Sequence, residues 1–220
     1  MVDSNRTIYS VGHSNQSVEA FLEEIQSFRI NCIVDVRSVP YSKFTPQFNA
    51  ESLGAILKQN GINYLPFGKE FGARRTDAFD YDNFLSAGFP DNQVVFELAA
   101  KSPSFLAGVE RIRVGLSKGF RIALMCSEAD PLECHRFSFV SRYFFEQGYN
   151  VIHILSKDQS ETHKVLEEKM IAEYIKKGKL PEVDLLFGEY TQQDQVRDAY
   201  RLKNKAIGYK SEMIDELAIA

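Results

Sequence analysis

The sequence lacks the features that mark secreted and membrane-spanning proteins. Only three of its 220 residues are cysteine, an odd number that cannot form a fully paired disulfide framework. No apolar run approaches the roughly 20 residues that a membrane-spanning helix needs, and no charged-then-apolar leader precedes residue 7. We therefore expect a soluble, cytoplasmic protein with reduced thiols and no membrane partner.

The sequence also lacks an excess of charge of either sign. Its 26 lysine and arginine residues face 30 aspartate and glutamate residues, which gives a net charge of −4. A global basic field of the kind that drives nonspecific nucleic-acid binding is therefore excluded, although local basic patches remain possible. The hydrophobic content of 44% is enough for a substantial core at this chain length.

Residues 7–155 alternate short β-prone runs with helical patterns. The predicted strands cover residues 7–11, 32–36, 62–67, 122–125 and 150–155, and three predicted helices begin at the capping residues Ser17, Asn49 and Ser102. This alternation favours a parallel sheet with helices on both faces. Because crossovers between parallel strands are right-handed, we predict an α/β fold, a Rossmann-like three-layer sandwich with a mostly parallel sheet.

The pattern changes towards the C-terminus. From residue 160 we expect only helix: Leu166, Met170 and Tyr174 occupy one helical face, a polar segment covers residues 191–205, and a short helix is predicted near residues 212–218. We therefore divide the chain into an α/β domain at residues 6–156 and a C-terminal α-helical extension at residues 157–220 that packs on it. An irregular stretch before Gln93 is typical of a functional lid.

Residues 124–136 hold two of the three cysteines, one histidine, one arginine and three carboxylates. They follow a predicted strand and lead into a predicted helix. The loops after the strands of a parallel sheet meet at its carboxyl edge. We therefore expect one site there, formed by His13, Arg37, Arg74, Cys126, Glu128, Cys134, His135 and Arg136.

Cys126 is the candidate nucleophile. It stands where the predicted strand ends, before a helix start with His135 and Arg136, and both a helix N-terminus and a nearby cation lower the pKa of a thiol. Glu128, His135 and His13 are the acid and base candidates. The outline resembles the strand, cysteine loop and helix of cysteine phosphatases and sulfur transferases, although Arg136 lies beyond their usual spacing. One interpretation of Cys126 is the nucleophile of a cysteine-dependent transferase or hydrolase, and the other is a buried structural cysteine.

Two further roles for the cysteines stay open. Cys126, Cys134 and His135, with His13 from the first loop, supply the soft ligands that zinc prefers. Adjacent Cys134 and His135 are poorly placed to face one ion, however, and no CxxC pair is present, so we predict no metal and no cofactor. A reversible disulfide between Cys126 and Cys134 is the third role.

Arginines at the predicted edge indicate an anionic ligand. Four of them can form bidentate hydrogen bonds with a phosphate or carboxylate: Arg37, Arg74, Arg75 and Arg136. The alternative for each is a surface position or a salt bridge with Asp35, Glu70 or Asp130. We expect Arg37 and Arg136 to hold a small phosphate- or nucleotide-like anion. A nucleic-acid-associated factor and a non-catalytic interaction module are the alternative functions, and the sequence does not indicate an oligomeric state.

Three segments together resemble one protein family. They are Gly12-His13-Ser14, the run Asp35-Val36-Arg37-Ser38-Val39-Pro40-Tyr41-Ser42, and Cys126-Ser127-Glu128 with Cys134-His135-Arg136. Their order and residues resemble the bacterial and archaeal "domain of unknown function 488" family over residues 6–156. Where that family usually has Leu-Gly-Gly after the third strand, this chain has Phe71-Gly72-Ala73.

The resemblance implies a compact α/β domain and a set of shared polar residues, but no settled activity, substrate or cofactor. The shared residues are His13, Arg37, Pro40, Ser42, Cys126, Glu128, Cys134, His135 and Arg136. Ser42 enters the candidate ligand-binding set on this basis. The other polar residues coincide with those that the predicted sheet brings to one edge.

Overall fold

A six-stranded sheet forms the centre of the computed structural model, which describes residues 6–81, 88–184 and 188–211. The strands are β1 (Thr7–Gly12), β2 (Cys32–Asp35), β3 (Asn63–Pro66), β4 (Ile122–Cys126), β5 (Asn150–Ser156) and β6 (Gln159–Thr162). Their order is β3-β2-β4-β1-β5-β6, with the first five parallel and β6 antiparallel to β5. The predicted helix near residues 212–218 lies outside the described residues.

Helices cover both faces of the sheet. They are α1 (Val18–Ser27), α2 (Ala50–Gln59), α3 (Gly68–Phe71), α4 (Phe96–Ala99), α5 (Pro103–Ser117), α6 (Arg142–Glu146), α7 (His163–Lys176) and α8 (Gln192–Ile207). One core cluster joins strand residues such as Ile33 to α1 and α2, and the other joins residues such as Leu124 to α3, α4, α5 and α6. Side chains alternate between the faces of a strand, so one sheet serves both cores. The predicted Rossmann-like three-layer sandwich is confirmed.

Two of the three predicted helix caps form as expected. The side-chain oxygens of Ser17 and Ser102 accept hydrogen bonds from the first turns of α1 and α5. Asn49 also occupies the N-cap position, of α2, but its side-chain oxygen accepts the backbone N–H of Ser42 instead, at 2.7 Å. Asn49 therefore shapes the loop after β2 rather than capping its helix.

The prediction that only helix follows residue 160 is wrong for β6. This strand forms a hairpin with β5 and has the sequence Gln-Ser-Glu-Thr, most of it exposed at the edge of the sheet. An exposed edge strand of four polar residues carries no alternation of apolar and polar side chains, so its periodicity gives no signal. Residues 159–162 thus belong to the sheet, while the proposed boundary near residue 156 stays a prediction.

The polar segment at residues 191–205 forms most of the long helix α8. Thr191 and Asp194 make a reciprocal capping box at its start. Polar side chains occupy much of its buried face, and the amide of Asn204 donates to the Val94 carbonyl and accepts from the Phe96 N–H. Because hydrogen bonds to loop backbone replace some of the apolar contacts on this face, the helix contains few apolar residues, although Val196, Ala199 and Tyr200 recur at helical spacing.

Helices α7 and α8 pack together on Phe137 and form a third apolar cluster with it. Its buried members are Phe137, Leu166, Met170, Tyr174, Leu180, Ala199 and Tyr200. Leu166, Met170 and Tyr174 thus share one face, as the helical pattern predicts. Within the described ranges, no helix combines the length and apolar character needed to cross a bilayer.

The order of the sheet reverses between β1 and β4. The chain moves from β1 to β2 and β3 on one side, and from β4 past β1 to β5 on the other. In many α/β proteins this reversal opens a ligand crevice. Here the His13 N–H donates to the Cys126 carbonyl at 3.0 Å, and a Cβ at Gly12 would lie 1.8 Å from the Glu128 carbonyl oxygen. The two loops therefore close the crevice.

Candidate functional site

A cavity of about 260 Å³ opens at the carboxyl edge of the sheet, where β2 and β4 end. It is lined by Arg37, Ser38, Val39, Ala73, Arg74, Cys126, Ser127, Glu128, Glu133, Cys134, His135, Ile207 and Tyr209. The cavity thus brings together six of the predicted site residues: Arg37, Arg74, Cys126, Glu128, Cys134 and His135. The other three, His13, Ser42 and Arg136, do not line it.

Cys126, Cys134 and His135 form a compact cluster. The Nδ1 atom of His135 lies 3.8 Å from Cys126 Sγ and 3.9 Å from Cys134 Sγ, and all three atoms lie within 4.8 Å of one another. Both cysteines are free and almost fully buried. The expectation that adjacent Cys134 and His135 are poorly placed to face one ion is therefore wrong. The extended backbone at Cys134 and the helical backbone at His135 turn both side chains the same way.

The backbone fixes the tautomer of His135. Its Nε2 atom lies 3.0 Å from the Val36 carbonyl oxygen, and because a carbonyl only accepts, Nε2 carries the proton. Nδ1 therefore faces the two sulfur atoms with its lone pair whenever the ring is neutral. A ring held in this way is suited to accept a thiol proton, or to bind a cation.

The two thiols differ in their environments. The adjacent Cys134 sulfur, burial and the neighbouring Glu128 raise the pKa of the Cys126 thiol. Burial also acts to raise the pKa of Cys134, but the adjacent Cys126 thiol and the charges of Arg136 and His135 outweigh it, so that this pKa is lowered. The Cys134 sulfur accepts the Arg136 backbone N–H at 3.4 Å, whereas the Cys126 thiol donates to Glu128 Oε2 at 3.1 Å. Negative charge is therefore better stabilised on Cys134 than on Cys126.

Arg37 is bound internally by its neighbours. Its guanidinium forms a bidentate salt bridge with buried Asp35, with a shortest distance of 2.6 Å, and also donates to the Phe48 carbonyl. Its Nη1 atom lies 3.0 Å from His13 Nε2. The salt-bridge alternative to ligand binding is thus present for Arg37, and its charge is balanced by Asp35.

His13 is held in one neutral tautomer. Its Nδ1 donates to the Ser14 carbonyl at 2.7 Å, so Nε2 has the lone pair that receives the Arg37 N–H. Burial and the Arg37 cation outweigh the Ser14 hydrogen bond and lower the pKa of His13 to about 4. Because the lone pair that a general base needs is already engaged, the geometry favours positioning of Arg37 over acid–base chemistry.

Arg136 is completely buried beside the closed crevice. Its Nη1 and Nη2 atoms donate to the carbonyls of Glu128 and Ala129 at 2.6 and 2.9 Å. No carboxylate of the described chain forms an ion pair with it. A π-helix, Arg136–Ser141, follows directly and leads into α6. Arg136 thus holds the loop that carries the cluster.

Arg74 is the exposed cation of the cavity. Its guanidinium lies over the Tyr209 ring at 5.6 Å, and its backbone N–H donates to Ser38 Oγ. Among the described residues it has no carboxylate partner within 4.0 Å, whereas neighbouring Arg75 pairs with Asp77. Ser42 lies apart and stabilises a turn, because its Oγ accepts the N–H groups of Phe44 and Thr45.

Sequence reasoning missed the residues at and just after the end of α8 that form one wall of the cavity. Ile207 and Tyr209 at the end of α8 line the cavity, as do Ser38 and Val39 after β2. The bridge between Gln93 and Lys210 fixes the residues after α8 beside the segment that precedes α4. Ser38 and Val39 stand in the Asp35–Ser42 motif and could have been included on that ground. Nothing local in the sequence places Tyr209 beside residues so far away along the chain.

The fold and cavity define a class, an α/β protein with a cysteine–histidine cluster at the carboxyl edge of its sheet. The family model described as "Domain of unknown function DUF488" matches residues 17–143, more than half of the chain, so the chain belongs to this family. The matched range includes Arg37 and the cluster, while His13 and the wall formed by Tyr209 lie outside it. No curated protein and no solved structure matches the chain significantly.

Proposed function

We propose that the cavity binds a small anion, with Arg74 as the principal charged contact. The observation that carries the proposal is the difference among the arginines of this edge. Arg37 is paired with Asp35, and Arg136 is buried on two carbonyls, whereas Arg74 reaches the cavity without a carboxylate partner in the described chain. An unpaired guanidinium favours bidentate binding of phosphate or carboxylate.

The size of the cavity narrows the ligand class. Its volume of about 260 Å³ lies below the roughly 300 to 1,000 Å³ of typical drug-sized ligand pockets. A phosphate or a comparably small carboxylate is therefore a better match than a complete nucleotide, whose base and sugar would not fit within this volume. This favours the phosphate-like form of the ligand over the nucleotide-like form.

Calorimetric titration of the purified chain with inorganic phosphate, and separately with a nucleoside monophosphate, tests the proposal. Arg74→Gln should weaken phosphate binding by about 10-fold or more, the effect of one charge-assisted hydrogen-bonded contact. Arg113→Gln is the matched control, because it removes the same charge from the surface of α5, away from the cavity. Equal weakening by both variants, or no phosphate binding by the unaltered chain, would contradict the proposal.

Cysteine-dependent transfer or hydrolysis is the second candidate. It is favoured by one observation, the thiol–imidazole contact between Cys134 and His135, which is the arrangement of an activated nucleophile. The N–H donated by Arg136 makes Cys134, rather than Cys126, the better nucleophile. Alkylation mapped by mass spectrometry tests this order, and faster modification of Cys126 than of Cys134 in the metal-free chain would contradict it.

A further inference from the structure

We propose that Cys126, Cys134 and His135 bind one zinc-like divalent cation, with a fourth coordination position open to the cavity. A tetrahedral ion about 2.3 Å from sulfur and about 2.0 to 2.1 Å from nitrogen would separate these ligand atoms by about 3.5 to 3.8 Å. The sulfur–nitrogen distances of 3.8 and 3.9 Å lie close to that range. The two sulfur atoms lie within 4.8 Å of each other, so binding an ion would draw them together by up to about 1 Å.

The atoms around the cluster support a metal as well. A metal-binding histidine usually donates its second ring N–H to a carbonyl or carboxylate, and His135 Nε2 donates to the Val36 carbonyl. This contact directs the lone pair of Nδ1 at the two sulfur atoms. The Arg136 backbone N–H points at Cys134 Sγ, where it would stabilise a ligating thiolate. The positions of donors and acceptors thus match those of a ligand set.

His13, the fourth soft ligand suggested by the sequence, is not part of this set. Both of its ring nitrogens are engaged, one with the Ser14 carbonyl and one with Arg37. The cluster therefore supplies three protein ligands, the number typical of zinc sites that leave a position for water or substrate. The carboxylate of Glu128 lies 3.1 Å from Cys126 Sγ. It is therefore the nearest side chain that could occupy the fourth position or exchange there with water or substrate.

This inference rests on the proposed function and deepens it, because a metal with an open coordination position would supply a second contact for the anion beside Arg74. Arg37 is balanced by Asp35 and Glu133 by Lys203, so Arg74 and Glu128 remain as opposite unpaired charges. A small anion would gain a contact with the cation, with Arg74 on its other side. Binding of the cation displaces the thiol protons to solvent, so no oxidant or reductant is needed.

The first test is titration of the reduced, chelator-treated full chain with Co²⁺, a coloured substitute for Zn²⁺. We expect a single ion per chain and a sulfur-to-cobalt charge-transfer band. The band should weaken in Cys126→Ser and Cys134→Ser, because each leaves only one sulfur ligand, and His135→Ala should weaken cobalt binding. Cys32→Ser is the matched control, because Cys32 is a buried cysteine of β2 outside the cluster. A band of unchanged intensity in Cys134→Ser, or one that disappears in Cys32→Ser, would overturn the assignment.

A second measurement does not depend on the variants folding. X-ray absorption of the zinc-loaded, unaltered chain should show two sulfur ligands, and an all-oxygen and nitrogen shell would overturn the proposal. Failure of the reduced chain to bind Co²⁺ would do the same, and so would a Cys126–Cys134 disulfide that persists in reductant. Phosphate should then perturb the cobalt spectrum. Phosphate binding measured by calorimetry without any cobalt signal would refute the metal and leave the anion proposal standing.

Discussion

Two histidine clusters in this molecule have opposite characters. His135 and two cysteines lie at an open cavity, whereas His153 and His163 lie in a sealed chain of hydrogen bonds beneath α7 and α8. Burial acts to lower the pKa of His135, but Cys134, the Val36 carbonyl and Glu128 together outweigh it and raise this pKa. For His163, burial lowers the pKa to about 3. Burial alone therefore does not decide the state of a histidine, because its polar partners can reverse the effect.

In the sealed chain every ring nitrogen has a partner. Ser10 Oγ contacts His153 Nδ1 at 2.6 Å, His153 Nε2 contacts His163 Nδ1 at 3.0 Å, and His163 Nε2 contacts the Tyr200 hydroxyl at 2.7 Å. The Tyr200 hydroxyl in turn forms a hydrogen bond with Glu167. When Glu167 is ionised it can only accept hydrogen bonds, so the hydroxyl is the donor. One set of neutral tautomers then satisfies the whole chain. His135 differs because its Nδ1 faces two sulfur atoms at distances that leave room for a ligand.

The largest predicted effect comes from breaking the sealed chain. His163→Ala leaves a cavity and removes a partner from both His153 and Tyr200, so we expect the free energy of unfolding to fall by about 3 to 5 kcal/mol. His135→Ala in the metal-free chain should cost only about 1 to 2 kcal/mol, because it releases one carbonyl at a solvent-accessible cavity. Urea unfolding followed by circular dichroism compares the two. If His135→Ala lowers the free energy of unfolding more than His163→Ala does, the contrast between the two clusters is contradicted.

The second prediction is acid lability caused by the sealed chain. Burial lowers the pKa values of His153 and His163 below the unfolded value of 6.5. The stability that they contribute is therefore fully present above pH 6.5 and is lost as the pH falls towards 3. For His163 the loss between pH 7 and pH 4 should be about 3 kcal/mol. His163→Gln, which cannot titrate, should flatten the dependence of unfolding free energy on pH, and an unchanged slope would count against this account.

A smaller effect is expected at the closed crevice that supports the cavity cluster. In Gly12→Ala the new Cβ meets the Glu128 carbonyl oxygen, so the loop must shift, at a cost of about 1 to 3 kcal/mol. The same change at Gly54 in α2 meets only the Tyr64 ring at 3.4 Å and should stabilise the chain by about 0.5 to 1 kcal/mol. Thermal unfolding of both variants checks the opposite signs. If Gly12→Ala does not destabilise the chain while Gly54→Ala does, Gly12 is not under steric constraint.

The smallest predicted effect concerns the wall of the cavity. Tyr209→Ala removes the ring beneath Arg74, and an exposed cation–π contact contributes about 0.5 to 1 kcal/mol. Phosphate binding should therefore weaken about two- to five-fold, through looser positioning of the guanidinium. Tyr41→Ala, at an exposed tyrosine that does not line the cavity, should leave the affinity unchanged. If calorimetry shows the same loss of phosphate affinity for both variants, Tyr209 does not contribute to the site.

The sequence predicts the part of the fold that depends on strong periodicity. Buried parallel strands such as β4 consist of continuous apolar residues, and serine caps mark the starts of α1 and α5. These signals are local, so five strands and the sheet's parallel character follow from them. The hairpin strand β6 has no alternation of apolar and polar residues to mark it. The contacts that position α8, such as that of Asn204 with Val94, join residues far apart in the chain, so local periodicity does not show where this helix packs.

For the candidate site, the sequence predicts which residues converge but not what each one contacts. Strand ends bring Arg37, Cys126 and His135 to one cavity, as parallel-sheet geometry requires. The pairing of Arg37 with Asp35, only two residues away, was one of two open alternatives. The orientation of adjacent Cys134 and His135 depends on backbone angles that residue spacing does not specify. Ligand roles for these residues therefore stay predictions.

The two edges of the sheet have a consequence for the behaviour of the chain at high concentration. Exposed strand edges can pair with strands of other molecules and start aggregation. β3 ends at Pro66, which has no backbone N–H to offer an incoming strand, and β6 presents four polar residues that include Glu161. Each edge is thus short and poorly suited to pairing, which protects a sheet of six strands from growing into an intermolecular one.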